Sequence, residues 1–180
     1  MPWYNENLDS DLENELNQRN ITKGKFLDLG TGPATQAIWL AKRGFNVTGS
    51  DLSETAIKRA KTVYANEKDV NFIVDDILNS NLKGNQFDYI FDRGCFHVLL
   101  PADRQRYIVK IKQILKDNGI LFLKCFSDKE LMQEGPYKFS QQEIRDLFSK
   151  YFRIDSITET VYQGTLDPFP KALFAVMIKN

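Results

Sequence analysis

The chain of 180 residues contains few of the residues from which several common kinds of site are built. It has one histidine and two cysteines, Cys95 and Cys125. Two cysteines do not make the framework of a disulfide-rich secreted domain, and a zinc site needs paired cysteine or histidine spacings that this sequence lacks. We therefore expect no metal site and a reducing compartment, the cytoplasm.

Neither sign of charge predominates, and no long hydrophobic run is present. Lysine plus arginine and aspartate plus glutamate both number 24, so no net field draws the whole molecule to nucleic acid or acidic lipid. The longest apolar run, 120–126, contains Lys124 and is too short to span a bilayer. Residues 1–6 do not resemble a signal peptide. We expect no nucleic-acid or membrane partner, and a monomer or weak homodimer.

The sequence does contain an alternation of short apolar runs with amphipathic segments. The predicted strands in the first part of the chain are 25–29, 45–50, 70–74, 87–91 and 120–126. Helices are predicted at about 34–43, 53–64, 102–116 and 140–148, with a further helix within 8–18. The polar connection 75–86 has room only for a turn or one short helical piece. This order favours a mostly parallel sheet covered on both faces.

Two more strands, 152–162 and 172–178, end the chain. Their connection is too short for a crossover helix, so they form a hairpin in which one strand runs antiparallel to the rest. The prediction is an α/β fold with a Rossmann-like, doubly wound, seven-stranded sheet. The sheet is mostly parallel, with an antiparallel strand in the C-terminal hairpin. Residues 1–180 are expected to form a single domain, with 1–22 as an N-terminal helical extension.

The first predicted strand runs into Gly30-Thr31-Gly32 and then into a helix. Glycines let a backbone turn sharply and approach a ligand closely. Asp51 ends the second strand, where a carboxylate can accept both ribose hydroxyls of a nucleotide cofactor. These features suit NAD as well as other adenosine-containing cofactors. Each also has a purely structural interpretation, as a strand-to-helix turn and as a helix cap beside Ser53.

In residues 26–34, Phe-Leu-Asp-Leu-Gly-Thr-Gly-Pro-Ala, the sequence resembles the class I S-adenosylmethionine-dependent methyltransferases. The stretch Asp-Arg-Gly-Cys-Phe-His at 92–97 is similar to the small tellurite-resistance and thiopurine methyltransferase branch. Pro2-Trp3, Gly135-Pro136-Tyr137 and residues 171–176 support that branch. The resemblance covers nearly the whole chain, although only the cofactor motifs are specific. It implies an enzyme that transfers a methyl group from S-adenosylmethionine to a small-molecule acceptor by in-line displacement.

The resemblance also implies roles for the residues of the glycine loop. Asp28 is similar to the family's acidic residue that organises this loop near the amino-acid end of the cofactor. Asp51 is then the residue that accepts hydrogen bonds from the ribose. Ala34 stands where the family usually has a third glycine, a departure expected to tighten the turn without closing the site.

Two consecutive aspartates, Asp75 and Asp76, follow the third strand. In the resembling family an acid here binds the adenine amino group while its neighbour packs on the ring. Asp76 is preferred because Asp76-Ile77 has the acid-then-apolar order, and the alternative is a pair of solvated loop carboxylates. The predicted cofactor-binding residues are Asp28, Gly30, Thr31, Gly32, Asp51, Leu52, Asp76, Ile77 and Asp92.

His97 lies just after the fourth strand, at the sheet edge where the acceptor would meet the methyl group. It is the candidate catalytic residue, as a general base, and the alternative is a buried histidine that only shapes the pocket. Cys95 and Cys125 are interpreted as small buried hydrophobic residues. Arg93 has two interpretations, as the binding group for an anionic acceptor or as the partner of Asp92 or another local acid.

An acceptor cavity with aromatic walls is expected to exclude water from the reaction and to tolerate a cation. Its predicted lining residues are Trp3, Tyr4, Phe96, Phe126 and Tyr137. Two other functions stay open, an NAD-dependent oxidoreductase and a non-catalytic S-adenosylmethionine-binding module. A nucleic-acid methyltransferase is disfavoured because residues 92–95 lack the motif that grips a flipped amino base and because no basic stripe is present.

Overall fold

The structure of the protein, a computed structural model, describes residues 3–180. Pro2, which contributed to the resemblance, lies outside the described residues. Helices and strands alternate along the chain. Their bounds are α1 Ser10–Gln18, β1 Lys25–Leu29, α2 Thr35–Lys42, β2 Asn46–Asp51, α3 Glu54–Val63, β3 Val70–Val74, β4 Phe87–Arg93, α4 Pro101–Ile114, β5 Leu115–Ser127, β6 Lys138–Phe139, α5 Gln141–Phe148, β7 Phe152–Val161 and β8 Lys171–Lys179. Short 3-10 helices span Ile77–Asn79 and Phe96–Val98.

The strands form one sheet in the order β3-β2-β1-β4-β5-β8-β7. The pairs β3-β2, β2-β1, β1-β4 and β4-β5 are parallel, whereas β8 runs antiparallel to both β5 and β7. The mostly parallel sheet with an antiparallel strand in a C-terminal hairpin is therefore confirmed. The strand order reverses between β1 and β4, and in doubly wound sheets ligands bind beyond the carboxyl ends of the strands at such a point.

The sheet differs from the prediction by an eighth strand, β6. Lys138 and Phe139 pair in parallel with Phe126 and Ser127 at the end of β5. The Phe139 ring is buried, with its centroid 5.2 Å from that of Phe96. Because this one aromatic ring is buried, the backbone of β6 lies beside β5. Two residues are too few to show a hydrophobic period, so the sequence did not predict this strand.

Both faces of the sheet are covered, as the sequence predicted. Phe26 and Leu27 are consecutive in β1 and belong to different hydrophobic clusters, because successive side chains of a strand point to opposite faces. The Phe26 side packs against α1, α2 and α3, and the Leu27 side against α4 and α5. Within residues 3–180, no helix is both long enough and apolar enough to cross a bilayer.

Serine side chains cap the starts of α3 and α5. Ser53 Oγ accepts a hydrogen bond from the N–H of Ala56 at 3.2 Å. Ser140 and Glu143 form a reciprocal capping box at the start of α5. Ala34, which precedes α2, has a left-handed backbone with φ 65°, so this position makes the turn for which the family uses glycine.

Candidate functional site

A cavity of about 640 Å³ lies at the carboxyl edge of the sheet. One end, which we call the cofactor end, is lined by residues that follow β1, β2 and β3, namely Gly30, Asp51, Leu52, Asp75, Asp76 and Ile77. The other end, the acceptor end, is lined by residues including Trp3, His97, Phe126, Met132, Tyr162 and Pro170. Volumes of this size are typical of sites for small molecules and cofactors.

The glycine loop is held from inside the protein by Asp28. Its carboxylate accepts hydrogen bonds from the Thr31 hydroxyl at 2.6 Å and from the N–H of Ala37 at 3.1 Å. Burial raises the pKa of Asp28 to about 6, although both hydrogen bonds oppose the rise. Asp28, Thr31 and Gly32 are not among the cavity-lining residues of the described chain. They shape the loop that Gly30 presents to the cavity.

Gly30 requires the absence of a side chain. Its φ is +72°, and a Cβ atom built on it would lie 2.3 Å from the Sγ atom of Cys95. Burial raises the pKa of the Cys95 and Cys125 thiols above their ordinary range. Both are therefore thiols at neutral pH, which agrees with their interpretation as packing residues.

Asp51 connects the end of β2 to the glycine loop. One carboxylate oxygen accepts the N–H of Gly32 at 2.9 Å, and the other accepts the N–H of Ser53 at 2.8 Å. The side chain also lines the cavity. Each carboxylate oxygen has two acceptor positions, so Asp51 retains capacity to bind a ligand hydroxyl in addition to these local bonds.

The two consecutive aspartates after β3 differ in how their carboxylates are used. Asp76 accepts the N–H of Leu78 at 3.0 Å and the side-chain amide of Asn79 at 2.6 Å, and so caps the first 3-10 helix. Asp75 Oδ2 is buried without a hydrogen-bond partner among residues 3–180. A buried carboxylate oxygen without a partner is costly, and the donor of an adenine amino group would satisfy it.

Asp92, predicted to bind the cofactor, is fully buried and is not among the cavity-lining residues of the described chain. Its carboxylate accepts the N–H groups of Gly94, Cys95 and Phe96 and the hydroxyl of Tyr107. Burial raises its pKa to about 6, with these hydrogen bonds opposing the rise. Asp92 therefore fixes the turn after β4, and the sequence alone could not show that the carboxylate points away from the cavity.

His97 lines the cavity at the acceptor end and has few exposed atoms. Its Nδ1 accepts a hydrogen bond from the N–H of Phe126 at 3.2 Å. The imidazole stacks on the Tyr162 ring, with centroids 5.8 Å apart. Burial, followed by the nearby Arg93 charge, lowers the pKa of His97 to about 4. The ring is thus neutral at physiological pH, and because Nδ1 is an acceptor its proton is on Nε2.

Arg93, at the end of β4, is hydrogen-bonded to the N-terminal segment and to the segment that follows β7. Its guanidinium donates to the Asp9 carboxylate at 2.9 Å, to the carbonyl oxygen of Trp3 at 2.9 Å and to the carbonyl oxygen of Gln163. It also lies over the Tyr162 ring, 4.3 Å from the centroid. Its acidic partner is thus Asp9, one of the local acids that the sequence allowed, rather than Asp92. These contacts use three of the five guanidinium N–H donors and pair its charge with Asp9.

A second buried cation, Lys124 of β5, shares the same partner. Its ammonium group contacts both carboxylate oxygens of Asp9 at 2.8 and 2.9 Å, Asp11 at 2.6 Å and the side-chain oxygen of Gln163 at 2.8 Å. Lys124 and Asp9 are both fully buried. This cluster of ion pairs attaches the N-terminal segment, which carries Trp3 into the cavity wall, to the sheet.

The aromatic walls differ in part from the prediction. Trp3 and Phe126 line the cavity, but Phe96 is buried in the core, and Tyr4 is not among the lining residues of the described chain. Tyr137 lines a smaller adjoining cavity. Tyr162 was missed, although its position at the end of a predicted strand in the hairpin could have indicated it.

Comparison with known proteins decides the family. The sequence profile of the thiopurine S-methyltransferase (TPMT) family matches residues 1–172. The chain belongs to this family. It is an S-adenosylmethionine-dependent methyltransferase, and the resemblance found in its motifs is confirmed.

Relatives of the methyltransferase agree with this assignment. The 2-heptyl-1-hydroxyquinolin-4(1H)-one methyltransferase of Mycobacteroides abscessus is 33% identical over 161 residues, which cover 86% of this chain and 70% of that protein. A methyltransferase structure from Methanosarcina mazei has a TM-score of 0.82 at 18% identity, covering 96% of this chain and 98% of that one. The 1,6-didemethyltoxoflavin-N1-methyltransferase of Burkholderia thailandensis, solved with S-adenosylhomocysteine, has a TM-score of 0.79 at 18% identity, covering 95% and 77%.

These findings support the methyltransferase over the two alternatives that the sequence left open. Neither the NAD-dependent oxidoreductase nor the non-catalytic binding module receives support from the comparisons. The structural likenesses, all below 25% identity, extend to the fold alone. The acceptor therefore has to be inferred from the cavity itself.

Proposed function

We propose that this methyltransferase acts on a small, largely apolar acceptor molecule bound at the acceptor end of the cavity. The observation that carries the proposal is the composition of that end. Aromatic and aliphatic side chains surround His97, and the charge of Arg93 is paired with Asp9. The names of two relatives, a quinolone methyltransferase and a thiopurine S-methyltransferase of Vibrio atlanticus, agree with small heterocyclic acceptors.

The residues at the cofactor end fit S-adenosylmethionine. Asp51 would bind the ribose hydroxyls, and Asp75 Oδ2, which lacks a partner among residues 3–180, would accept the adenine amino group beside Asp76 and Ile77. The glycine loop after β1 is supported by Asp28, Thr31 and Gly32, and the turn after β4 is supported by Asp92. These four are not among the cavity-lining residues of the described chain. When bound, S-adenosylmethionine supplies a methyl group activated by its sulfonium sulfur, which the acceptor displaces in line.

The protein's own contribution is binding, orientation and exclusion of water. Holding two reactants in line can lower a barrier by roughly 7–11 kcal/mol. Trp3, Phe126 and Tyr162 form rigid walls that restrict the acceptor's position. His97 would orient it as an Nε2–H hydrogen-bond donor, because a neutral ring whose Nδ1 accepts the Phe126 N–H already carries its proton on Nε2 and has no lone pair there to act as a base.

This role for His97 favours acceptors whose nucleophilic atom is already ionised or strongly nucleophilic. Aromatic thiols and acidic hydroxyl groups satisfy that requirement near neutral pH, whereas alkylammonium groups do not. The proposal includes a single domain over residues 1–180 that acts in the cytoplasm as a monomer or weak homodimer, without a nucleic-acid or membrane partner. Two free cysteines and a formal net charge of zero agree with it.

A panel of acceptors tests the proposal through release of S-adenosylhomocysteine. We expect turnover with apolar aromatic thiols or acidic aromatic hydroxyls, and none with small aliphatic carboxylic acids or alkylamines. The charge of Arg93 is already paired with Asp9, and an alkylamine is protonated near neutral pH. Reactions without acceptor give the background. Turnover restricted to small carboxylic acids, or to a lysine-containing peptide, would contradict the proposed acceptor class.

A further inference from the structure

A second apolar space, which we call the side channel, adjoins the acceptor end of the cavity. It has a volume of about 420 Å³ and is lined by Val98, Gly135, Pro136 and Tyr137. Three of these, Val98, Gly135 and Pro136, also line the main cavity. The two spaces therefore adjoin along these three residues.

The side channel is built by two segments that are joined to each other. The N–H of Tyr137 donates to the carbonyl oxygen of His97 at 2.8 Å, which fixes the 135–137 segment against the 3-10 helix containing Val98. On its other side, the Tyr137 ring is faced by the Arg104 guanidinium, 4.7 Å from the ring centroid. The channel walls are thus held in place by protein contacts.

The channel leaves apolar surface in contact with solvent. Val98 is 59% exposed and Tyr137 is 41% exposed, and the neighbouring cavity residue Met132 is 40% exposed. None of the described lining residues of the channel carries a charge. Isolated apolar residues on a surface need no explanation, but exposed apolar residues grouped at the mouth of a ligand cavity are characteristic of a binding groove.

We propose that the side channel binds an aliphatic chain carried by the acceptor molecule. This inference rests on the proposed small-molecule function and specifies its substrate class, an amphiphilic acceptor with a reactive aromatic head and an alkyl tail. The shared wall of the two spaces and the uncharged lining residues described for the channel support this occupant. Four lining residues are too few for a protein partner, since a stable interface buries about 800 Å² on each side.

The test measures how binding depends on the length of the tail. We would determine by calorimetry the dissociation constants of 4-alkylbenzenethiols, from the unsubstituted compound to the octyl derivative, for the protein saturated with S-adenosylhomocysteine. Burial of each methylene should tighten binding up to about fourfold, corresponding to about 0.8 kcal/mol, until the channel is filled. An affinity that stays constant or falls along the series would overturn the inference.

Variants test whether the side channel causes the dependence of affinity on the length of the alkyl tail. Val98→Asp and Tyr137→Ser should each reduce the gain per methylene at least by half. Val63→Asp, a substitution on α3 at a comparably exposed valine, should retain the wild-type gain. Equal gains in all four proteins would show that the tail binds elsewhere. Sedimentation provides a further check, because a wild-type dimer that Val98→Asp dissociates would identify the channel as an interface between copies.

Failure of the side-channel inference can be distinguished from failure of the proposed function. If the shortest thiol is methylated but tail length has no effect, the function stands and the side-channel inference fails. If tail length affects binding in the S-adenosylhomocysteine complex but no thiol in the series is methylated, the channel stands and these thiols are not the acceptors.

Discussion

Asp9→Ala is expected to lower the free energy of unfolding by about 3–5 kcal/mol, the usual range when one partner of a buried ion pair is removed. The Asp9 carboxylate contacts both Lys124, which is fully buried, and Arg93, which is 8% exposed. Its loss leaves two buried cations with insufficient compensation and also removes the cap of α1. Urea denaturation at neutral pH measures the change.

Glu13→Ala provides the matched control for Asp9→Ala. Glu13 is also an acidic residue near the start of the chain, but its ion pair with Arg43 is much more exposed. Pairs of that kind contribute at most about 1 kcal/mol. If both variants lose less than about 1 kcal/mol, the buried cluster does not hold the N-terminal segment to the sheet.

His97→Ala is expected to lower kcat/KM by about 10-fold to 100-fold, the equivalent of losing a hydrogen bond to a charged group. His97→Gln should retain more activity, because its amide can still donate. His97 should contribute no acid limb near pH 6.5, since burial holds its pKa at about 4, and a limb caused by protonation of the acceptor itself should persist in His97→Ala. An acid limb near pH 6.5 that disappears in His97→Ala would restore the general-base role.

The lowered pKa of His97 also predicts how folding stability depends on pH. In the unfolded chain the imidazole pKa is about 6.5, whereas in the folded protein it is about 4. As the pH falls from about 6.5 to about 4, the unfolded state takes up a proton that the folded state does not, so folding stability decreases. Over this range the wild type should lose up to about 3 kcal/mol relative to His97→Gln.

The difference between these two proteins isolates the histidine. Asp28 and Asp92, whose pKa values burial raises to about 6, act in the opposite direction in both proteins. Their folded forms bind protons more readily than the unfolded chain, so their contribution to stability increases as the pH falls below about 6. Parallel stability curves for wild type and His97→Gln would show that His97 is not held neutral by burial.

Periodicity and loop length predicted most of the fold. The short connection before β8 required a hairpin, and the antiparallel pairing of β8 with β5 and β7 follows that requirement. The β6 strand could not be predicted because it depends on the burial of Phe139 and its contact with β5. Such tertiary contacts leave no periodic pattern in a two-residue segment.

The site was predictable at the level of which loops meet, but not at the level of individual carboxylates. Glycine spacing and strand ends placed Gly30 and Asp51 at one edge of the sheet, and both line the cavity. Two features depend on side-chain geometry that motif order does not encode: the inward orientation of Asp92, and an Asp75 oxygen that has no hydrogen-bond partner within residues 3–180. The Arg93 contacts join residues 84 positions apart in sequence, and no local signal indicates them.

Calorimetric titration with S-adenosylhomocysteine and with NAD⁺ tests the central claim, that the cofactor end is built for S-adenosylmethionine. One S-adenosylhomocysteine should bind per chain and NAD⁺ should not. Asp51→Ala should weaken the binding by about 1.5–3 kcal/mol, while Glu54→Ala, an exposed carboxylate three residues away, should leave it unchanged. Tighter binding of NAD⁺ than of S-adenosylhomocysteine, or an Asp51→Ala protein that folds and binds with unchanged affinity, would contradict the account.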